Sequence, residues 1–328
     1  MKIRLLILLF MGTILSEGQV RYGEKKKYSS YGVCVNVFNY VGELDPGPSF
    51  ISPSIRYTRP SLGITYVRRI KPALSWRGTF TYGRIKGDDY ISANEKGKNV
   101  GRKVRNLNFK NNIWELKGDL IFDFIGHNER YEKRHEYVPY GFIGLAVFKH
   151  DPKGQIPDGF TGAGDWVKLR PLQTEGKAYS PIGVAIPFGL GFRYKLAKNW
   201  DLAFEVGWRY TFTDYLDDVS STYGDPMKMS PLARLMSFKS AYITDPTVAT
   251  GAVTPVLDPN GNTIALPDGQ ILQTIDSYGG EYVTTSDGSV KWKSDDLRGD
   301  KNKDWYIVTG LHLTYIPPLR VVCPKFRN

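Results

Sequence analysis

The sequence predicts a transmembrane antiparallel β-barrel of about eight strands, and three observations carry that reading. In residues 199–213, Trp200, Leu202, Phe204, Val206, Trp208, Tyr210 and Phe212 interleave with Asp201, Ala203, Glu205, Gly207, Arg209, Thr211 and Thr213. A period of two means a strand with two unlike faces. Aliphatics between aromatic girdles on one face, with small and charged residues on the other, suit a strand between lipid and a barrel lumen. The pattern also recurs: Leu74, Trp76, Phe80 and Tyr82; Trp114, Leu116, Leu120, Phe122 and Phe124; Phe188, Leu190, Phe192 and Tyr194; Trp305, Ile307, Leu311, Leu313 and Tyr315 each alternate with polar or small residues. A soluble protein would need a very large aromatic core to bury five such faces. Finally, beyond the N-terminus no run of ~18 apolar residues offers a membrane helix.

The elements follow in chain order. Lys2 and Arg4, the apolar stretch 5–15, and Ser16 to Gly18 predict a secretory signal peptide over 1–18. The remaining 19–328 form one barrel domain with a large loop at about 214–302. Strands are expected near 30–41, 60–70, 72–84, 112–124, 138–149, 184–196, 199–213 and 303–316. In the fifth, Ile143, Leu145 and Val147 face lipid and Tyr140, Phe142 and Phe148 the lumen. The links near 69–72 and 196–199 are tight, that at 125–137 is moderate, and those at 42–59, 85–111, 150–183 and 214–302 are long. Short periplasmic turns alternating with long outer loops, and an even strand number, put both termini in the periplasm of a Gram-negative bacterium. Within the last loop, Ser230 before Pro231 reads as a helix cap and first turn, and Asn260-Gly261 and Asp268-Gly269 as hairpin turns.

Eight strands enclose room for side chains, not for an aqueous channel. Arg77, Glu115, Lys117, Asp119, Asp123, Arg193, Lys195, Asp201, Glu205 and Arg209 are all expected in the lumen. Buried unpaired charge is costly, so they should pair with one another. That argues for a plugged scaffold.

The net charge is +11. No nucleic-acid motif accompanies it, so acidic lipid or an acidic partner is the expected counterpart and nucleic acid is not. His127 and His135 flank Glu129 and Glu132, but the spacing fits no zinc pattern and a solvated turn over His127–Glu136 is expected. His312 reads as a satisfied lumen histidine. His150 and Ser180 share a rim without a nucleophile motif, so no catalytic residue, no cofactor and no small-molecule substrate is expected. Asp258, Asn260 and Asn262 mimic the start of a calcium loop, but Pro259 intrudes and the closing Glu is missing. Asp214, Asp217 and Asp218 are a rim cluster open to two readings: Ca²⁺ ligands, or structural acids with Asp214 bonding backbone and the others paired to Arg170 or Lys177. The structural reading is preferred, and no metal is expected. Lys25–Lys27 and Arg68, Arg69 and Lys71 are periplasmic charge runs, either solvated or a docking surface for an acidic partner. The cysteines are Cys34, turned inward, and Cys323, on a periplasmic tail. An intermolecular bridge through Cys323, an internal bridge between the two, and free thiols all remain open.

Several ordered motifs resemble those of the PorG family, outer-membrane barrels of the type IX secretion system in Bacteroidetes. They are Thr211-Phe212-Thr213-Asp214-Tyr215-Leu216-Asp217-Asp218-Val219-Ser220, Tyr82-Gly83-Arg84-Ile85 with Gly87-Asp88-Asp89, and Pro139-Tyr140-Gly141-Phe142-Ile143-Gly144. Leu172-Gln173-Thr174-Glu175-Gly176, Pro187-Phe188-Gly189-Leu190-Gly191, and Arg298-Gly299 before Asp304-Trp305-Tyr306 complete the set. No such motif occurs between about 226 and 297. The resemblance implies a non-catalytic component of protein export. It further implies association with periplasmic ring proteins of the PorK and PorN type, which the barrel would anchor or position. Its rim residues would be Thr213, Asp214, Asp217, Asp218 and Glu175. The alternatives are a stand-alone adhesin or receptor barrel and a lipid-modifying barrel enzyme.

Overall fold

The computed structural model describes residues 27–44, 57–92, 105–158, 160–225, 228–237, 239, 298–299 and 302–318, with short pieces between 253 and 293. The expected signal peptide, Lys25, Lys26, Cys323 and the Asp268-Gly269 turn lie outside the described residues. So do Asp258 and Asn260.

Eight long strands form the barrel wall: β1 (Ser29–Val41), β2 (Arg59–Lys71), β3 (Leu74–Asp88), β4 (Asn108–Asp123), β5 (Tyr137–Lys149), β8 (Ile182–Ala197), β9 (Trp200–Thr211) and β14 (Trp305–Tyr315). Two short strands, β6 (Pro152–Gln155) and β7 (Trp166–Lys168), continue the sheet beyond β4. The order is β3-β2-β1-β14-β9-β8-β5-β4, and a β3–β4 pairing closes the ring. Every wall pairing is antiparallel.

At one end the connections are short. β2 and β3 pair up to Lys71 opposite Leu74, so Pro72 and Ala73 make the turn, with a register shift between Arg69 and Lys71. β8 and β9 turn at Lys198–Asn199, again after a shift. Two-residue hairpins with an adjacent bulge suit the strong twist of barrel strands. At the other end long segments lead out of the wall. They carry the one-turn helix α1 (Asp89–Ser92), the helix α2 (Pro231–Ser237), and two small hairpins, β10 (Val253–Pro255) with β11 (Gln273–Ile275) and β12 (Glu281–Thr284) with β13 (Val290–Lys293). α2 begins as expected: the Ser230 hydroxyl accepts a bond from the Ala233 amide at 3.2 Å. Leu257 bridges Thr263 around Gly261, whose φ of +84° fits the hairpin expected there.

The faces sort as the alternation requires. Val33, Val35, Leu62, Ile64, Leu116, Leu120, Ile143, Leu145, Val147, Leu190, Phe204 and Leu311 point outward and are exposed. Aromatic pairs bracket this apolar band. Tyr31 with Tyr66, Tyr137 with Tyr194, and Trp200 with Tyr315 lie toward the short turns; Tyr82 with Trp114, and Tyr210 with Trp305, toward the long loops. Inward, the long-loop half is apolar, with Phe38, Tyr40, Ile85, Phe109, Ile113, Phe148, Leu216 and Tyr306 in one cluster.

Candidate functional site

The lumen of the barrel is filled by an ion-pair chain. Arg77 binds Asp119 at 2.8 Å and also Glu205, and Lys117 binds Asp119 at 2.6 Å. Arg209 pairs with Glu115 at 3.3 Å, Arg193 with Asp123 at 3.2 Å and Arg134 with Asp201 at 2.8 Å. The rings stack between the charges: the Arg77 guanidinium lies 4.9 Å from the Phe142 centroid and Arg193 4.9 Å from Tyr140. His312 sits 3.6 Å from Glu205, beside this chain. Several acids gather more than one donor, Glu205 from Arg77 and Tyr140 and Asp123 from Arg69 and Arg193, which makes such burial tolerable.

The short-turn end departs from expectation twice. Arg69 is buried and binds Asp123 at 3.0 Å and the Pro72 carbonyl, so it braces the lumen and is no docking residue. Arg68 and Lys71, on either side, remain exposed. The His127–Glu136 segment is not a solvated turn throughout. Arg134 folds back into the mouth, donating to the carbonyls of Tyr131, Ala197, Lys198 and Trp200. His127 is buried behind it, 2.9 Å from the Arg130 carbonyl. Cys34 is a buried free thiol, opposite His312 in register.

The long-loop end is closed by a buried polar cap, which brings the expected rim residues together. Glu175 accepts the Ser220 amide at 3.0 Å, the Ser221 amide at 3.1 Å and the Ser221 hydroxyl at 2.8 Å. Segments 213–220 and 172–176 therefore pack as one unit. Asp218 has a left-handed backbone, φ +72°, which aspartate tolerates better than most residues. It accepts the hydroxyls of Thr174 and Tyr179, the latter at 2.6 Å. Asp214 accepts the Ser220 hydroxyl at 2.8 Å, and the Thr213 hydroxyl accepts the Tyr215 amide at 3.2 Å. The cation that serves this cap is Arg298, not Arg170 or Lys177. It binds Glu175 at 3.1 Å and lies 3.7 Å from Asp218, while among the described residues Lys177 reaches the Ser221 hydroxyl. Two further bonds tie the cap down. Asn111 of β4 donates to the Leu216 carbonyl at 2.7 Å, and Ser237 of α2 to the Thr174 carbonyl at 2.7 Å.

Beneath this lies a tighter cluster that the sequence reading passed over. The Tyr40 hydroxyl is 2.7 Å from both Asp217 and Asp304 and 3.4 Å from Glu43. Oxygens of Glu43, Asp217 and Asp304 all lie within 4.8 Å of one another. They are hard donors of the kind calcium takes. Yet Asp217 already accepts the Val219 amide at 2.9 Å and Asp304 the Leu216 amide at 2.8 Å. A hydroxyl carries one proton and can donate to one carboxylate at a time. Its other short contact therefore needs a proton from the acid side. Burial lifts Asp217 to about 7, and burial together with the charge of Asp217 pushes Asp304 well above the usual range. Burial also raises Asp218, to about 6. The geometry thus fits a proton shared among Tyr40 of the barrel wall and Asp217 and Asp304 of the cap.

His150 and Ser180 meet without forming a catalytic pair. The imidazole Nε2 lies 3.0 Å from the Ser180 carbonyl, and the hydroxyl of Ser180 donates to the Ile182 carbonyl.

Residues 4–237 match a family model described as "Domain of unknown function (DUF6089)". No curated protein matches the chain. Among solved structures, the chain is similar to Ail, the attachment invasion locus protein of Yersinia pestis, at 8% identity over 89% of this chain and 99% of that one, TM-score 0.34. It is similar to Neisserial surface protein A at 10% identity over 88% and 96%, TM-score 0.34. It is also similar to a major outer membrane protein from Thermus thermophilus at 11% identity over 88% and 99%, TM-score 0.37. The closed barrel rests on the strand pairings above rather than on these likenesses.

Proposed function

The chain belongs to the DUF6089 family, and from that premise we propose that it is a non-catalytic outer-membrane component of the type IX protein secretion machinery. On this reading it anchors or positions a periplasmic ring of PorK and PorN type. The observation that carries the proposal is a wall with an apolar outer band around a lumen filled with paired charge. Such a barrel acts through its ends, not through its interior. The motifs quoted for the PorG resemblance supply the specific role, and their residues Thr174, Glu175, Asp214, Asp218, Ser220 and Arg298 are among those that join in the cap. The short-turn end, where residues 27 and 318 also lie, faces the periplasm and offers Arg68 and Lys71 to an acidic partner.

Deleting the protein and following export of proteins with a C-terminal sorting domain tests this reading. Loss of export, with PorK- and PorN-type proteins recovered on the tagged barrel from solubilised membranes, is the expected result. Normal export, with the long loops retaining a ligand at the cell surface, would instead make it a stand-alone receptor or adhesin.

A further inference from the structure

Four lysines stand side by side on the outward face of the barrel. Lys86 of β3 is in register with Lys110 of β4, Lys110 with Lys153 of β6, and Lys153 with Lys168 of β7. Register partners share a face. Strands lie about 4.8 Å apart, so the row spans roughly 14 Å. Like charges directly opposite one another are destabilising, and a row of four asks for a counter-charge.

The surroundings say where that charge comes from. Along β3, Arg84 and Tyr82 precede Lys86 on the same face, and Tyr82 packs on Trp114 at 4.3 Å between centroids. Lys149 is in register with Trp114. With about 3.4 Å per residue and a tilt near 40°, Arg84 stands about 5 Å and the lysine row about 10 Å beyond the aromatic level. The polar layer of a bilayer leaflet is about 5–8 Å deep. Long side chains that reach back toward the membrane thus end among its headgroups. The patch is also built rather than loose. Lys110 sits over the Trp166 ring at 4.0 Å, and Arg84 donates to Asn112 at 2.7 Å. The carboxylates among the described residues beside the six basic groups are Asp151, 3.1 Å from Lys168, and Asp88, which accepts the Ile91 amide. The basic strip ends at β5: on the neighbouring β8, Ile182, in register with Lys149, and Val184 are exposed and apolar, as is Phe212 just past β9.

We propose that Lys86, Lys110, Lys153 and Lys168, flanked by Arg84 and Lys149, form a binding site for the phosphates of an anionic lipid headgroup in the outer leaflet. The site rests on the outer-membrane reading with the long loops outward. It gives one side of the barrel a fixed lipid neighbour.

The test uses the full chain in phosphatidylcholine vesicles containing lipid A or its dephosphorylated form. The variants are a quadruple Lys→Gln change at 86, 110, 153 and 168, and a control Lys→Gln change at 133 and 198 on the short-turn end. Lipid retained by the extracted barrel is counted by native mass spectrometry, and insertion is followed separately by flotation and by the heat-dependent gel shift. Retention of phosphorylated lipid should fall at least about tenfold in the quadruple variant. It should be unchanged in the control and absent for the dephosphorylated lipid. Equal retention by the quadruple variant, or an equal fall in the control, overturns the site. Full displacement by inorganic phosphate assigns it to a soluble anion and overturns the lipid assignment. A wild-type chain that fails to float removes the membrane reading itself, an outcome distinct from a barrel that inserts and ignores the phosphates.

Discussion

Arg298 reaches Glu175 at 3.1 Å across 123 positions of sequence, and both side chains are 1% exposed. One guanidinium at the far end of the last loop thus holds the loop that precedes β8. Removing one partner of a buried ion pair typically costs about 3–5 kcal/mol, because the other charge is left uncompensated. Arg298→Met and Glu175→Gln should each open the cap to protease while leaving the heat-dependent gel shift of the barrel intact. The double variant should be less open than the sum of the two singles, the sign of direct coupling. Additive opening would mean that the two residues act separately.

Phe204 lies midway between Trp200 and Trp208 on the outward face of β9. Phe204→Arg should destabilise the inserted barrel by about 2–4 kcal/mol. Leu190→Arg, on the neighbouring strand, should behave alike. Denaturant unfolding in lipid measures both; unchanged midpoints would mean that this face does not meet hydrocarbon.

The chain Lys117–Asp119–Arg77–Glu205 crosses the lumen. Planar bilayers containing the wild-type barrel should therefore show no large stable channel. Large, long-lived conductance steps would contradict the filled interior.

The cap should loosen as pH rises. Asp217 titrates near 7 and Asp218 near 6 in the folded protein, both raised by burial above the ordinary 3.8. An acid whose folded value is raised holds its proton more tightly when folded. Its contribution is therefore fully present below the ordinary value and is lost as pH climbs through about 6 to 7. Lys239, lowered by burial to about 7, works the other way, but only between about 7 and its ordinary 10.5. The protection factors of the Ser220 and Ser221 amides, that is, exchange divided by the intrinsic rate at each pH, should be larger at pH 5 than at pH 7. Smaller protection at pH 5 would reverse the assignment of the shared proton.

Native-state alkylation should spare Cys34, whose thiol is buried inside β1, until the barrel unfolds. Labelling at the rate of a free peptide thiol would show that the short-turn mouth is open.

The strand faces were legible because alternation is a local signal. The parity that turns Phe204 outward turns Glu205 inward. Treating three basic residues as one solvated run misplaces Arg69. Thr65 and Val67, four and two positions earlier, already place Arg69 on the inner face. The Tyr40–Asp217–Asp304 cluster and the Arg298–Glu175 pair join segments far apart in sequence, and no periodicity reports on such meetings. Arg298 and Asp304 nonetheless fall inside motif segments, which marked the residues without naming their partners. The lysine row is hidden because Lys153 and Lys168 lie in a stretch that reads as loop, where β6 and β7 extend the sheet.

The closing seam runs from Tyr31 opposite Tyr315 to Val41 opposite Trp305. Its two strands are the first and the last of the wall to leave the ribosome. Until β14 arrives, β1 and β9 each present a row of bare amides and carbonyls, which hydrocarbon does not tolerate and which other chains would pair with. The whole stretch from 212 to 304 must also reach its side of the bilayer before the seam zips. Insertion therefore has to end, not begin, at this seam: the bare edges of β1 and β9 are satisfied only when β14 has joined both.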